Sequence, residues 1–406
     1  MSGAALGLVV AGGDGPLDAL GVARDAALTP FAGKYRFIDF ALATLVNSEV
    51  SRVYVAAPPS SMLREHLARA ARGVRALHGP FPVRVARAPG RAMRLLRALL
   101  GCRELVETHA PDVVVALTAD HILQLDARHL VDVHRARRAD VTLCAVWVPL
   151  DEMAGRAVRR MTDGTRVRDA IPAPAAPPVP VRQQAFGVTW TGDLVVSRAA
   201  LGAIFAALPA DVPGDDADLL AALAGALRVS AYDVRDNPVP GAPHLRGAFW
   251  HEPTTLEEYY DAQMNLCTPS PALDLYNAAW PVLPVVSGLG PAKVVADAAG
   301  RAGQALNSLV SDGAVIRGGL VVNTVLGHGV VIESGAEVED SVLLDGCRVG
   351  RGARVRRAVV GAGAVIGDAD EIGYGTSPAA PARVVRSGLT VVPASPDERP
   401  APGGSR

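Results

Sequence analysis

Between residues 307 and 375 aliphatic side chains return every six positions: Leu309, Val315 and Val321; Ile332, Val338 and Leu344; then Val349 with Val355, Val359 with Val365, and Ile366 with Ile372. A helix repeats its buried face every 3.6 residues and a half-buried strand every two, so neither accounts for this spacing. A triangular β-solenoid does, because each short side turns one aliphatic residue inward before the chain rounds a corner. A Gly-punctuated β-sandwich is disfavoured, since its strands alternate with period two. Solenoids of this kind assemble side by side, so a homo-oligomer is expected.

The first half of the chain has a different texture. Leu6–Val10, Arg52–Ala56, Val83–Ala86, Val113–Leu117 and Val141–Val146 read as buried strands. Between them Ser61–Arg72 and Arg91–Thr108 carry helical apolar spacing. Strands alternating with helices predict an α/β domain with a mostly parallel sheet covered on both faces. Ligands in such a sheet bind beyond the carboxyl ends of the strands, which is where the turn Ala11-Gly12-Gly13-Asp14-Gly15 falls. The Pro- and Ala-rich run 171–184 reads as a surface loop, and the loop-rich stretch 283–305 as a domain boundary. The expected organisation is therefore an α/β domain over 1–282, a linker over 283–304, a β-helix over 305–375 and a tail over 376–406.

Charge and cysteines narrow the function. With 40 Lys and Arg against 41 Asp and Glu, the chain has no broad field to attract nucleic acid or an anionic membrane, so an anionic ligand must be held locally. No apolar run approaches the roughly 20 residues of a membrane span. Cys102, Cys144, Cys267 and Cys347 form no CxxC pair and suggest neither zinc nor a disulfide framework. The cytoplasm is the expected compartment.

Longer strings carry a resemblance. GKYRFIDFALATLVNSEV at Gly33–Val50, LTADHILQLD at Leu117–Asp126, ALDLYNAAWPV at Ala272–Val282, PAKVV at Pro291–Val295 and NSLVSDGAVIRGGLVVNTVL at Asn307–Leu326 resemble the signatures of bacterial ADP-glucose pyrophosphorylase, also called glucose-1-phosphate adenylyltransferase. The resemblance implies a nucleotidyltransferase-like α/β domain, a left-handed parallel β-helix after it, and a tetramer. It also implies a reaction in which a nucleoside triphosphate and a sugar 1-phosphate give a nucleoside-diphosphate sugar and pyrophosphate. Bringing two anions together calls for a divalent cation, here Mg²⁺, on carboxylates, for positive side chains on the phosphates, and for backbone N–H groups near the triphosphate.

Matched position by position, Gly12, Gly13 and Gly15 fall on the nucleotide-binding loop, where side chains would hold phosphates away from the amides. Read alone, they are an ordinary strand-exit turn. Asp120 matches the first metal-binding acid; without the resemblance an N-cap would be the plain alternative. Glu252 stands at the second metal acid, and His251 where the family has Arg. With Arg91 and Gly187, His251 is an expected substrate contact.

The departures are as informative. The catalytic Lys of an Ala-Lys-Pro-Ala motif is replaced by Ala26, which makes Arg24 the nearest cation for the phosphates. The Glu-Lys-Pro motif that grips the sugar phosphate falls at Pro172-Ala173-Pro174, and Gly-Thr-Ala-Asp-Ala at Gly90-Arg91-Ala92-Met93-Arg94. Segments lining one pocket have changed together, so two readings follow. One is a nucleotidyltransferase acting on another cyclic 1-phosphate, such as a C7-cyclitol (valienol) phosphate, in secondary metabolism. The other is a catalytically inactive paralogue serving as a regulatory or scaffold subunit.

Overall fold

The computed structural model describes residues 5–12, 25–78, 83–87, 95–149, 158–162, 166–171, 186–208, 226–242, 248–282, 285, 287–375, 383–385 and 387–395. The chain forms two compact units. One comprises Met1–Gly13, Ile38–His251 and Leu275–Leu283; the other comprises Asp14–Phe37, Glu252–Asp274 and Pro284–Arg406.

The first unit is built on a nine-stranded sheet. Its order is Val83–Arg87, Arg52–Ala57, Ala5–Val10, Val113–Thr118, Phe186–Ser197, Val141–Pro149, Val229–Asp233, Arg166–Ile171 and Val158–Thr162. The first four strands are parallel, and Phe186–Ser197 runs antiparallel to both its neighbours in that order. The expected α/β class is what forms, because strands such as Val113–Thr118 are apolar on both faces and must be covered twice. Leu95, Leu99, Leu201 and Ile204, from helices Leu95–Gly101 and Arg198–Ala207, pack over Leu6, Leu8, Val114 and Val196. Gly7 is the small residue that admits helix Phe37–Asn47, since a Cβ there would meet Leu45 at 2.8 Å. Within the expected helical stretch 91–108, two helices form, Leu95–Gly101 and Arg103–His109, separated at Cys102. Loop 172–185 lies outside the described residues.

Chain order reverses at the centre of this sheet. From Ala5–Val10 the chain moves outward through Arg52–Ala57 to Val83–Arg87, then returns to the opposite side of Ala5–Val10 as Val113–Thr118. Such a reversal opens a crevice at the carboxyl ends of the two central strands, the usual ligand position in an open α/β sheet.

The second unit is a coil of three parallel sheets. Its sides are built from strands such as Val315–Arg317, Leu320–Val322 and Val325–Leu326, each paired with the equivalent strand one coil later. Strands of the coil run from Lys293–Val295 to Thr390–Val392, a wider span than 305–375. One turn is 16 or 17 residues rather than 18. The inward columns are Ile316, Ile332, Val349 and Ile366; Val321, Val338, Val355 and Ile372; and Leu326, Leu343 and Val360. Five residues rather than six separate Ile316 from Val321 and Val355 from Val360, so a strict six-residue count slips at those corners. This is why Val365, expected inward, is 71% exposed beside buried Ile366, and why Val315 is only half-buried beside Ile316.

One corner of the coil repeats a polar device. Asn307, Asn323, Asp340 and Arg357 all take positive φ, between 44° and 49°, a conformation that Asn and Asp tolerate best among residues with side chains. Each is followed by a residue whose N–H or hydroxyl joins a ladder. Ser308 Oγ accepts from Thr324 N (3.1 Å), Thr324 Oγ1 from Ser341 N (3.3 Å), and Ser341 Oγ from Ala358 N (3.2 Å). The same hydroxyls donate to the carbonyls of Leu306, Val322 and Glu339.

In the same unit a hairpin of Pro30–Phe31 and Tyr35–Arg36 is pinned by helix Leu256–Asn265. Tyr259 donates to the Pro30 carbonyl (2.6 Å), Gln263 accepts from Ala32 N (3.0 Å), and Arg36 pairs with Asp345 at 2.5 Å.

Candidate functional site

Strand register brings the first site residues together. Val10 and Thr118 are partners across the two central parallel strands, and Ala119 N donates to the Val10 carbonyl at 2.9 Å. Two residues beyond those partners stand Gly12 and Asp120. Adjacent strands lie about 4.8 Å apart, so both emerge side by side at the crevice. Gly12 adopts φ +140°, which side chains disfavour, two residues after the strand ends at Val10. Gly13, Gly15, Arg24 and Arg91 lie outside the described residues, as do Ala173 and Arg94.

Asp120 occupies the bend between strand Val113–Thr118 and the short strand Ile122–Gln124. It is not an N-cap; Asp126 takes that role for helix Ala127–Ala136. Its side chain is 45% exposed, while the neighbouring His121 ring is closed to solvent. His121 Nδ1 lies 3.0 Å from Asp120 Oδ1 and 3.1 Å from Thr118 Oγ1. On the far side, Nε2 makes a 3.0 Å ion-pair contact with Oδ2 of Asp193, off the line of a straight hydrogen bond.

The electrostatics follow from that stacking of charges. Burial by itself pushes the His121 pKa down, but the Asp193 carboxylate and then Asp120 outweigh it and raise the pKa well above the ordinary imidazole range. Desolvation opposes ionisation of Asp120, yet its hydrogen bond with His121 and the charge of that ring leave its pKa below the usual carboxylate value. An ionised, half-open carboxylate is a suitable oxygen ligand for a hard cation. Mg²⁺ commonly takes one or two protein carboxylates and completes its shell with water and substrate phosphates. Among the described residues no cluster of three or more His, Cys, Asp or Glu gathers to enclose a metal unaided.

His251 enters from strand Phe249–His251, which pairs antiparallel with Ile122–Gln124 and puts His251 opposite Ile122, two positions past Asp120. Glu252 is the next residue along the chain. Gly187 lies in strand Phe186–Ser197 opposite Val148, without a described neighbour among the other candidates. Ala26 is in the second unit, 1% exposed in the short 3₁₀ turn Ala26–Leu28, where the Asp25 side chain accepts from Ala27 N at 3.1 Å.

His121 and Asp193 were not singled out from the sequence as site residues. Asp193 did leave a signal: an acid flanked by the apolar run Leu194–Val196 in a buried strand. Its partner, 72 positions away in the chain, could not be read from spacing.

Comparison with known proteins identifies the family. Residues 6–181 match the family described as nucleotidyl transferase, and residues 290–392 the family described as GlmU-like, C-terminal hexapeptide. The glucose-1-phosphate adenylyltransferase of Frankia casuarinae is 35% identical over 87% of this chain and 88% of its own. Those of Deinococcus radiodurans and Trichlorobacter lovleyi are each 32% identical, over 91% of this chain and 92% and 91% of theirs. Hexapeptide repeats and three parallel sheets together give the second unit the left-handed β-helix architecture expected for it. Among the described residues no helix is long and apolar enough to cross a membrane.

Proposed function

Because the chain belongs to the glucose-1-phosphate adenylyltransferase family, we propose that it is a nucleotidyltransferase that joins a nucleoside triphosphate to a sugar-like 1-phosphate and releases pyrophosphate. The observation that carries this reading is the paired exit of Gly12 and Asp120 from the two strands at the chain reversal. Gly12 gives phosphates access to backbone amides, and Asp120 presents negative charge where a cation must bridge them. Mg²⁺ bound there would neutralise triphosphate oxygens; Asp120 is the proposed ligand, with Glu252 the second by sequence match. Arg24 is the proposed cation for the leaving pyrophosphate, and Arg91, Gly187 and His251 the proposed substrate contacts. The reading places a homo-oligomer, a tetramer by resemblance, in the cytoplasm.

The acceptor is proposed to be a cyclic 1-phosphate other than that of glucose, a C7-cyclitol phosphate among them, because Ala26 and Ala173 replace two phosphate-binding lysines of the family motifs. Ala26, buried in its 3₁₀ turn, offers no charge to a phosphate. The same observation favours a second reading, a non-catalytic paralogue that folds and assembles but does not turn over. Pyrophosphate release, assayed with purified protein against a panel of nucleoside triphosphates and cyclic 1-phosphates, separates the two. Turnover that is lost in Asp120→Asn supports the enzyme; silence across the panel with fold and oligomer intact supports the paralogue.

A further inference from the structure

We propose that His121 is a positioning residue that fixes the carboxylate of Asp120 for its cation, and that Asp193 holds His121 in place. The inference rests on the reading of Asp120 as a cation ligand given above. Three side chains follow one another from the sheet interior to the carboxyl ends of its central strands. Asp193 and His121 are closed to solvent, and Asp120, at the end of the series, is half open.

Each inner member is held at more than one point. Asp193 Oδ1 accepts from Thr118 N at 2.9 Å and Oδ2 from Thr191 Oγ1 at 2.8 Å. His121 sits between Asp193 on one ring nitrogen and Asp120 with Thr118 on the other. The backbone is shaped for this contact. Register with Val141–Pro149 shifts between Trp190 and Leu194; within that bulge Gly192 has φ +97°, and a Cβ on it would stand 2.8 Å from Thr118 Oγ1. A bulge re-aims a side chain that regular pleating would send elsewhere, and here the side chain beside the bulge glycine is the Asp193 carboxylate.

Stability alone accounts poorly for the arrangement. Desolvating two charges costs about as much as their attraction returns, so apolar residues of similar volume would serve the core as well. What the series does supply is orientation. With Oδ1 tied to a ring that cannot move, the plane of the Asp120 carboxylate is set before any cation arrives, which is the task of an outer shell around a metal ligand.

The test uses the full chain and Mn²⁺ alone as probe, with bound metal measured by electron paramagnetic resonance and the fold followed by thermal unfolding. The difference between wild type and Asp120→Asn defines the Asp120-dependent Mn²⁺. At that site His121→Gln and Asp193→Asn are each expected to weaken Mn²⁺ binding by about 10- to 100-fold. The double variant should bind no more weakly than His121→Gln, because Asp193 acts through the ring. If His121→Gln does not fold, Asp193→Asn decides alone. Unchanged Mn²⁺ affinity in Asp193→Asn and His121→Gln, including the case where only thermal stability falls, overturns the positioning role while leaving Asp120 as a ligand. Unchanged affinity in Asp120→Asn removes the ligand itself and the proposal with it.

Discussion

Val10 and Thr118 face one another on adjacent parallel strands, and the chain leaves the sheet just beyond both. That one register places Gly12 and an ionised carboxylate at the same end of the sheet. The function proposed above rests on that common height.

Gly12 should not tolerate a β-branched side chain. At φ +140° the backbone of Gly12→Val is strained by about 1–3 kcal/mol, and its side chain projects where phosphates must approach amides. Calorimetric titration with nucleoside triphosphates is expected to show at least about tenfold weaker binding, with the circular dichroism spectrum unchanged. Wild-type affinity in this variant would remove Gly12 from the phosphate site.

Restoring the family's lysine should fail. Ala26→Lys places a cation in a turn that is 1% exposed, so overpacking and charge burial together are expected to cost roughly 3 kcal/mol or more. A lowered thermal midpoint and no gain in adenylyl transfer to glucose 1-phosphate are the expected results. A stable variant that transfers to glucose 1-phosphate would show that the turn opens readily and that Ala26 was the sole lesion.

Acid should destabilise the first unit through His134. Its ring is buried with Nδ1 2.8 Å from Thr142 Oγ1. Burial first, and then the charge of Arg135, depress its pKa from 6.5 to about 4 against the weaker pull of Asp140. The unfolded chain therefore binds a proton that the native state refuses, and stability present above pH 6.5 is lost as pH falls towards 4. The loss is about 3 kcal/mol over that window. Urea midpoints at pH 7 and pH 4.5 should differ less in His134→Gln than in wild type; equal shifts would assign the acid sensitivity to other groups.

Ser341→Ala should weaken the coil. The change leaves the buried N–H of Ala358 without the hydroxyl that receives it at 3.2 Å, at a cost of about 1–3 kcal/mol. Unfolding followed by a probe in the coil should show the loss, and an unaltered midpoint would mean that the ladder contributes nothing net.

Much of this molecule is legible in its sequence, for reasons that differ by element. The central strands are readable because residues such as Val113–Leu117 form a short, Val-rich run apolar on both faces, too short for a helix. Asp120 is readable because it follows such a strand at its carboxyl end. The coil is readable as a coil but not in its phase. A count of six misplaces Val365, because the side from Val355 to Val360 is one residue short and only the register of stacked strands reveals it. The Asp193–His121 contact is invisible for another reason. It depends on a bulge at Gly192, and a lone glycine in a strand can equally mark a kink or a close approach. The proposed cation Arg24 and the glycines after Gly12 lie outside the described residues, so their reading rests on the resemblance.

The hydroxyl corner of the coil also sets the grain at which this unit can change. Ser308, Thr324 and Ser341 each hand one bond to the next layer, so every layer meets its neighbours through the same interface and each can be counted as a separable module. An insertion or deletion of one whole turn of 17 residues keeps polar corner above polar corner and aliphatic side above aliphatic side. A change of six, although it matches the visible rhythm of the sequence, would rotate every later side by one face. The length of such a unit should therefore vary between relatives in steps of a full turn, with the six-residue rhythm surviving only as the imprint of its three faces.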